Sequence, residues 1–215
     1  MNQCQECGIE IPENRTHCRA CLRAKVWAST SPKVMDELFP PRISRVLKEM
    51  GGVIELTTDA TKPGLYLYGP AGTGKTIYAA ALLMEMKKRT WFALNGTYIQ
   101  GKFVHTLTLL DEIRSCYSQE KDAALLVKQY SEADVLVLDD LGVERETEWV
   151  LQTLYLIINN RYENMLPTII TSNLSLDNLR DRLQDERITS RICEMCRVKA
   201  FDGEDYRVKG AFNGI

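Results

Sequence analysis

The chain has 215 residues, 45% of them hydrophobic and 26% charged, with a formal net charge of −2. That length supports one main domain with a real core and a small appendage, and the composition is that of an ordinary soluble globular protein. The near-neutral balance excludes a global field for nucleic acid, so any such surface must be a local patch. No run of about 18 apolar residues is present, so no transmembrane helix and no membrane partner are expected. Met1 to Cys7 lacks the basic and apolar regions of a signal peptide. A cytoplasmic location is therefore expected, where cysteines serve more readily as metal ligands than as disulfides.

Residues 1–25 carry two close cysteine pairs, Cys4-x-x-Cys7 and Cys18-x-x-Cys21, ten residues apart. Each pair can hold one side of a Zn²⁺ ion, and together they close a tetrahedral thiolate site with no open position, which makes it structural and not catalytic. Gly8 supplies a permissive backbone after the first pair, and Pro12-Glu13-Asn14 reads as a turn. A segment this short cannot bury a core, so metal binding would supply its folding energy. His17 is an alternative ligand, but four cysteines already complete the set. Arg15, Arg19, Arg23 and Lys25 permit contact with DNA; a solvated face on a protein-docking module is an equal reading.

Residues 26–52 read as a linker with short helices. Ser29-Thr30-Ser31-Pro32 and Phe39-Pro40-Pro41 are turn signals. One short helix is expected over Lys33–Leu38 and another from Arg42 to Met50, ended by Gly51-Gly52. Residues 53–215 form the main domain.

Gly64 to Tyr68 is a short apolar, aromatic run that suits a buried parallel strand. Gly69-Pro70-Ala71-Gly72-Thr73-Gly74-Lys75-Thr76 follows, and Ile77 to Arg89 reads as a helix. Strand, G-x-x-x-x-G-K-[ST] and helix together define the phosphate-binding loop of a nucleoside triphosphatase. The glycines let backbone N–H groups turn inward as a concave anion site, and the helix start adds its positive dipole end. In this arrangement Lys75 reaches the β- and γ-phosphates and the Thr76 hydroxyl binds Mg²⁺.

Trp91 to Leu94 and Thr97 to Ile99 flank Asn95-Gly96, a hairpin signal. Lys102–Thr106 reads as the next strand, with helices over Leu107–Tyr117 and Asp122–Ser131. His105 and Cys116 read as packing residues. Asp134 to Gly142 is a buried apolar strand ending in Asp139 and Asp140, about sixty residues after Lys75. With the phosphate loop, Asp139 would hold Mg²⁺ and Asp140 would polarise the attacking water as general base. A long packing helix spans Glu146–Asn164. Pro167 to Asn173 is another apolar strand, which delivers Asn173 to the strand C-termini, where open α/β sheets bind ligands. Asp181 to Ile192 reads as one charged helical stretch. An arginine there could act on a neighbour's γ-phosphate or simply form surface i,i+4 pairs. Cys193-x-x-Cys196 has no second pair nearby and reads as packing thiols.

Taken in order, these residues resemble the DnaC/IstB-like branch of the AAA+ ATPases, over roughly residues 40–207. Gly69–Thr76 resembles Walker A, Val135–Gly142 Walker B, Thr171-Ser172-Asn173 the sensor 1 strand, and Arg187-Ile188-Thr189-Ser190-Arg191 box VII. The resemblance implies a five-stranded parallel sheet flanked by helices, ATP with Mg²⁺, and homo-oligomers that share ATP sites. It makes Asn173 the γ-phosphate sensor and Arg191 the arginine finger, ahead of Arg187. A zinc module before the ATPase is similar to helicase loaders, which implies a replicative DNA helicase and single-stranded DNA as partners in DNA replication. An IstB-like helper of a DNA transposase and a near-inactive ATP-binding adaptor are the alternatives. Two departures stand out. The second Walker B acid is Asp140 where many AAA+ proteins carry the longer Glu. The stretch after Asn173 is short for a full helical lid, with Arg207 a weak stand-in for a sensor 2 arginine.

Overall fold

The computed structural model describes residues 2–13, 16–50, 62–93, 99–118 and 122–206. The hairpin expected at Asn95-Gly96, the stop at Gly51-Gly52, Arg15 and Arg207 lie outside them. Strands β3 (Gly64–Tyr68), β4 (Gly101–His105), β5 (Val135–Asp139), β6 (Thr168–Ser172) and β7 (Cys196–Ala200) form a five-stranded sheet in the order β4-β5-β6-β3-β7. All four pairings are parallel. Two further strands, β1 (Asn2–Gln3) and β2 (Glu10–Ile11), pair antiparallel in the cysteine module.

Both faces of the sheet are covered, which is why its central strands read as continuous apolar runs. Side chains alternate between the faces. Tyr66, Leu136, Leu138 and Ile170 face one core layer, under α4 (Thr106–Ser118), α5 (Ala123–Ser131), α6 (Glu148–Glu163), α7 (Leu176–Leu183) and α8 (Glu186–Met195). Leu67, Val135, Val137 and Ile169 face the other, under α1 (Arg19–Leu38), α2 (Pro41–Glu49) and α3 (Lys75–Ala93). From β3 the chain crosses to β4 at one edge; from β6 it passes to β7 at the other. β3 and β6 are neighbours, so their connections diverge, and the C-terminal ends of these two strands frame the crevice where such sheets bind ligands.

Several expected elements are corrected. The linker read over Ser29–Pro32 is helix: α1 is continuous for 20 residues and contains Pro32. Trp27, Ser31, Met35 and Phe39 are all buried at four-residue spacing. Trp27 packs on Trp91 of α3 at 5.9 Å, and Phe39 on Phe103 at 5.3 Å. Burying large aromatic and aliphatic side chains stabilises by about 1.5–3 kcal/mol each, which together exceeds the roughly 3 kcal/mol that an interior proline costs. Ser29 and Thr30 hydroxyls donate back to the Val26 carbonyl one turn earlier. Trp91 and Phe92, expected in a hairpin strand, end α3 instead. The charged stretch 181–192 is two helices, broken at Gln184 (φ +50) and restarted by Asp185, whose side chain accepts the Arg187 N–H. The fifth strand of the expected sheet is β7, a stretch without a strand signal of its own; it buries Cys196 as expected of a packing thiol, while Cys193 is exposed, which corrects its packing role.

Arg161 of α6 is fully buried and ties the far end of the sheet together. Its guanidinium donates to the carbonyls of Tyr130, Ser131, Ala133 and Pro167 and to Thr168 Oγ1, at 2.6–3.2 Å. These groups enter β5 and β6, so one side chain sets where both strands begin. Burial lowers its pKa to about 10, against the Coulombic pull of Asp134. Arg161→Met is expected to leave several buried carbonyls without a donor and to destabilise the fold by about 3 kcal/mol or more. Urea denaturation checks this through the transition midpoint, which should fall with little change in slope.

Candidate nucleotide-binding site

The phosphate loop leaves β3 and enters α3 at Lys75. Gly69, Gly72 and Gly74 adopt φ of +140°, +79° and +93°, a region L side chains rarely enter. A side chain at Gly69 would also collide with the Phe201 carbonyl, and one at Gly72 with the Asp205 carboxylate. Thr73 Oγ1 donates to the Pro70 carbonyl and braces the loop. Lys75 is buried, and its ammonium donates to Gly69 O and Pro70 O, both at 2.7 Å, and to Asn173 Oδ1 at 3.0 Å. The lysine thus arches over its own loop and touches the end of β6.

Three strand ends converge there. Asp139 closes β5 and is buried; its Oδ1 accepts from Thr76 Oγ1 at 2.8 Å and Thr171 Oγ1 at 2.7 Å. Burial pushes its carboxyl pKa up, and the two hydroxyl donors pull it back. Its backbone carbonyl accepts from Thr106 at the head of α4. Asp140 follows with φ +60, its N–H donating to Thr171 Oγ1 at 2.8 Å. Thr171 therefore donates to one acid and accepts from the next. Asn173 Nδ2 donates to Asp140 Oδ1 at 3.2 Å, so Lys75, Asn173 and Asp140 form a linked row. His105 Nε2 lies 3.5 Å from Asp140 Oδ2. His105, expected to pack, is half-buried beside Asp140; Cys116 is buried as expected.

These residues fit a nucleoside triphosphate with a divalent cation. The glycine conformations fit a backbone anion cradle, Lys75 is placed beside it, and Thr76 and Asp139 are paired oxygen donors of the type Mg²⁺ takes. Arg191 stands elsewhere, on α8 against α6. Its guanidinium donates to Asn159 Oδ1 and Tyr155 Oη and stacks on Tyr155 and Tyr162. Among the described contacts, none joins it to the phosphate loop of its own chain.

Two features escaped sequence reading. The segment after β7 runs along the phosphate loop: the Phe201 N–H donates to Tyr68 O at 2.7 Å, and the Tyr206 N–H to Gly72 O at 3.2 Å. Nothing in its composition announces this. Glu144, past the second acid, folds its carboxylate back onto the Gly142 N–H. Arg182 clasps the same loop through the carbonyls of Gly142 and Glu144 and the carboxylate of Glu146.

At the N-terminus the four cysteine sulfurs lie within 4.8 Å of one another, with Cys7 and Cys18 at 3.6 Å. Zinc at about 2.3 Å from each of four thiolates requires sulfur–sulfur edges of about 3.8 Å, so the donor set fits that ion. Cys18 is also the N-cap of α1 and accepts the Cys21 N–H. That bond lowers its thiol pKa, and the backbone at Cys18 holds Cys4 down to about 6. These two favour the thiolate that a metal needs, while contact with the neighbouring thiols pushes Cys7 and Cys21 up. Gly8, at φ +74, makes the knuckle turn as expected.

A parallel sheet of this order, with a phosphate loop, paired acids and a polar residue at the third strand end, defines a P-loop nucleotide-binding protein of the AAA+ class. The chain matches the family model of the IstB-like ATP binding protein over residues 44–213 and belongs to that family. It is 32% identical over 178 residues to the phage-like element PBSX protein XkdC of Bacillus subtilis (strain 168), covering 78% of this chain and 61% of that protein. It is 27% identical over 156 residues to the replicative helicase loader DnaI of the same organism, covering 67% and 47%. The solved DnaC helicase loader superposes with a TM-score of 0.56 at 30% identity, covering 78% of this chain and 96% of that one. The chain therefore spans about half to three fifths of the length of these two curated relatives.

Burial raises the pKa of Glu144, against the pull of the nearby N–H groups and Arg182. A carboxyl raised on folding stabilises the fold at low pH, and that contribution is lost as pH rises through the folded value. Glu144→Gln is expected to raise the thermal midpoint at pH 8 relative to the parent. The gain should shrink as pH falls through the raised folded value toward the ordinary carboxylate range. Thermal unfolding at pH 8 and pH 4 checks the sign.

Proposed function

We propose that this chain is an ATP-dependent loader of a replicative DNA helicase. It works as an ATP-hydrolysing assembly switch that engages helicase and single-stranded DNA. The observation that carries the reading is the linked row Lys75–Asn173–Asp140 beside Thr76 and Asp139, in a chain similar to the helicase loaders DnaI and DnaC. Bound ATP with Mg²⁺ supplies the scissile phosphoanhydride and neutralises its charge. Lys75 exchanges its carbonyl partners for β- and γ-phosphate oxygens. Thr76 and Asp139 offer oxygen ligands to the cation. Asp140 takes the proton from water as the new bond to γ-phosphorus forms, while the bond to the bridging oxygen breaks and its electron pair leaves with ADP. Asn173 senses the γ-phosphate through the hydrogen bond it now makes to Lys75. Arg191, away from its own site, completes a neighbour's in a homo-oligomer. Cys4, Cys7, Cys18 and Cys21 hold a structural zinc that orders a docking module, residues 1–25.

A second reading is a helper of a DNA transposase, favoured by the IstB-like family itself. Native mass spectrometry of the full chain with the replicative helicase of its host separates the two. A complex that changes between ATP–Mg²⁺ and ADP and disappears on zinc chelation is expected. No complex under any condition would move the assignment to the transposase helper. Nucleotide-independent helicase binding without turnover would leave an ATP-binding adaptor.

Lys75→Ala is expected to abolish ATP hydrolysis, measured by phosphate release. Arg191→Ala should abolish assembly-stimulated hydrolysis and leave ATP binding by the monomer intact. Loss of ATP binding by that monomer would instead place Arg191 in its own site.

A further inference from the structure

Past β7 the chain turns back across the phosphate loop. The Phe201 N–H donates to Tyr68 O at 2.7 Å, and the Phe201 ring packs on Tyr78 of α3 at 5.3 Å. Gly203, at φ +144, turns the backbone, and the Tyr206 N–H then donates to Gly72 O at 3.2 Å. This strap is acidic: Asp202, Glu204 and Asp205 all fall within residues 202–205, with no basic residue among them. Asp202 and Glu204 are exposed, while Asp205 is half-buried with its carboxylate against Gly72, where a Cβ would collide with it. A carboxylate therefore stands on a loop whose glycine-rich backbone and lysine suit anions. Phosphates entering that loop would meet a like charge at close range, in a partly buried setting where salt screens it less.

We propose that residues 201–206 form an autoinhibitory strap, in which the Asp205 carboxylate competes with nucleotide phosphates at the phosphate loop and the binding of nucleotide displaces it. The inference rests on the phosphate loop binding nucleotide, and not on a helicase partner or on turnover. Phe201 is the anchor, held by Tyr68 and Tyr78, and Gly203 is the hinge. Opening takes Asp205 and Tyr206 off Gly72. A site that is open in only a fraction of molecules binds with its affinity reduced by that fraction, so a strap closed in about nine molecules of ten weakens binding about tenfold.

The test is titration of the full chain with a fluorescent ADP analogue, and its displacement by pyrophosphate with Mg²⁺, which carries phosphates but no sugar or base. Asp205→Asn keeps the shape of the side chain and removes its charge; it should tighten both the analogue and pyrophosphate by roughly tenfold. Asp202→Asn removes the same charge from an exposed position of the strap and should change little. In the parent, hydrogen exchange over residues 202–206 should speed up when pyrophosphate alone is added. Three results would overturn the proposal: unchanged affinity in Asp205→Asn, an equal gain in Asp202→Asn, or exchange that stays level or slows. Weaker binding of the analogue by Asp205→Asn, with pyrophosphate unchanged, would overturn it too and make Asp205 a ligand of the sugar. Parent binding that Lys75→Ala abolishes establishes the nucleotide site independently of Asp205. Failure of both the parent and Asp205→Asn to bind would remove that site, and the strap with it.

Discussion

The site depends on one carboxylate oxygen, Asp139 Oδ1, which accepts hydrogen bonds from two hydroxyls at once. One comes from Thr76 at the head of α3 and the other from Thr171 near the end of β6. Those two groups lie on the two elements that flank the ligand crevice, so the acid sets their spacing. Its burial is unfavourable, as the raised pKa records, and the two donors offset part of that cost. Replacing either hydroxyl would leave the acid less satisfied and the loop less fixed. Thr171 carries a second duty, since its oxygen also accepts the Asp140 N–H and thereby places the second acid. The left-handed backbone at Asp140 is tolerable because that contact and the Leu141 N–H bond to Thr171 O hold it from both sides.

The sequence disclosed this centre well and its surroundings poorly, for different physical reasons. Strands β3, β5 and β6 are covered on both faces, so they are apolar throughout and bounded by turn residues. The loop and the paired acids follow them at spacings few other arrangements use. Edge strand β7 has one neighbour and exposed positions at Val198, Lys199 and Ala200, which leaves no periodic signal. Ser29 to Pro32 is good turn chemistry locally, and only the aromatic stripe from Trp27 to Phe39, matched to Trp91 and Phe103, makes it helix. Trp91 itself looked like a strand residue because its partner lies some sixty residues earlier in the chain. His105 carried no local cue, because its partner is the neighbouring strand's last acid plus one.

Three arginines of the main domain have separate duties. Arg161 is enclosed and serves backbone carbonyls; Arg182 secures the loop after the paired acids; Arg191 lies against two tyrosines on the outer side of α6 and α8. Planar guanidinium geometry permits all three, since five donors in a fixed fork can satisfy several carbonyls or lie flat on a ring. Stacking matters most for Arg191. Tyr155 and Tyr162 hold its fork in a defined direction, which would cut the entropy lost if the arginine engaged a neighbour as proposed.

The same economy governs Lys75. Its hydrogen bonds to Gly69 O, Pro70 O and Asn173 Oδ1 are to neutral oxygens. An arriving phosphate would replace these neutral acceptors with anionic oxygens, which pair the lysine's charge as well as its protons. The exchange would also free Asn173, which is joined to Asp140. Filling the phosphate loop would therefore alter the hydrogen bonding of the second acid without any large backbone motion. Lys75 heads α3 beyond β3, while Asp140 and Asn173 follow the ends of β5 and β6, so the row needs the parallel sheet to hold them in line. The fold thereby joins the phosphate loop to the second acid through a single side chain, Asn173.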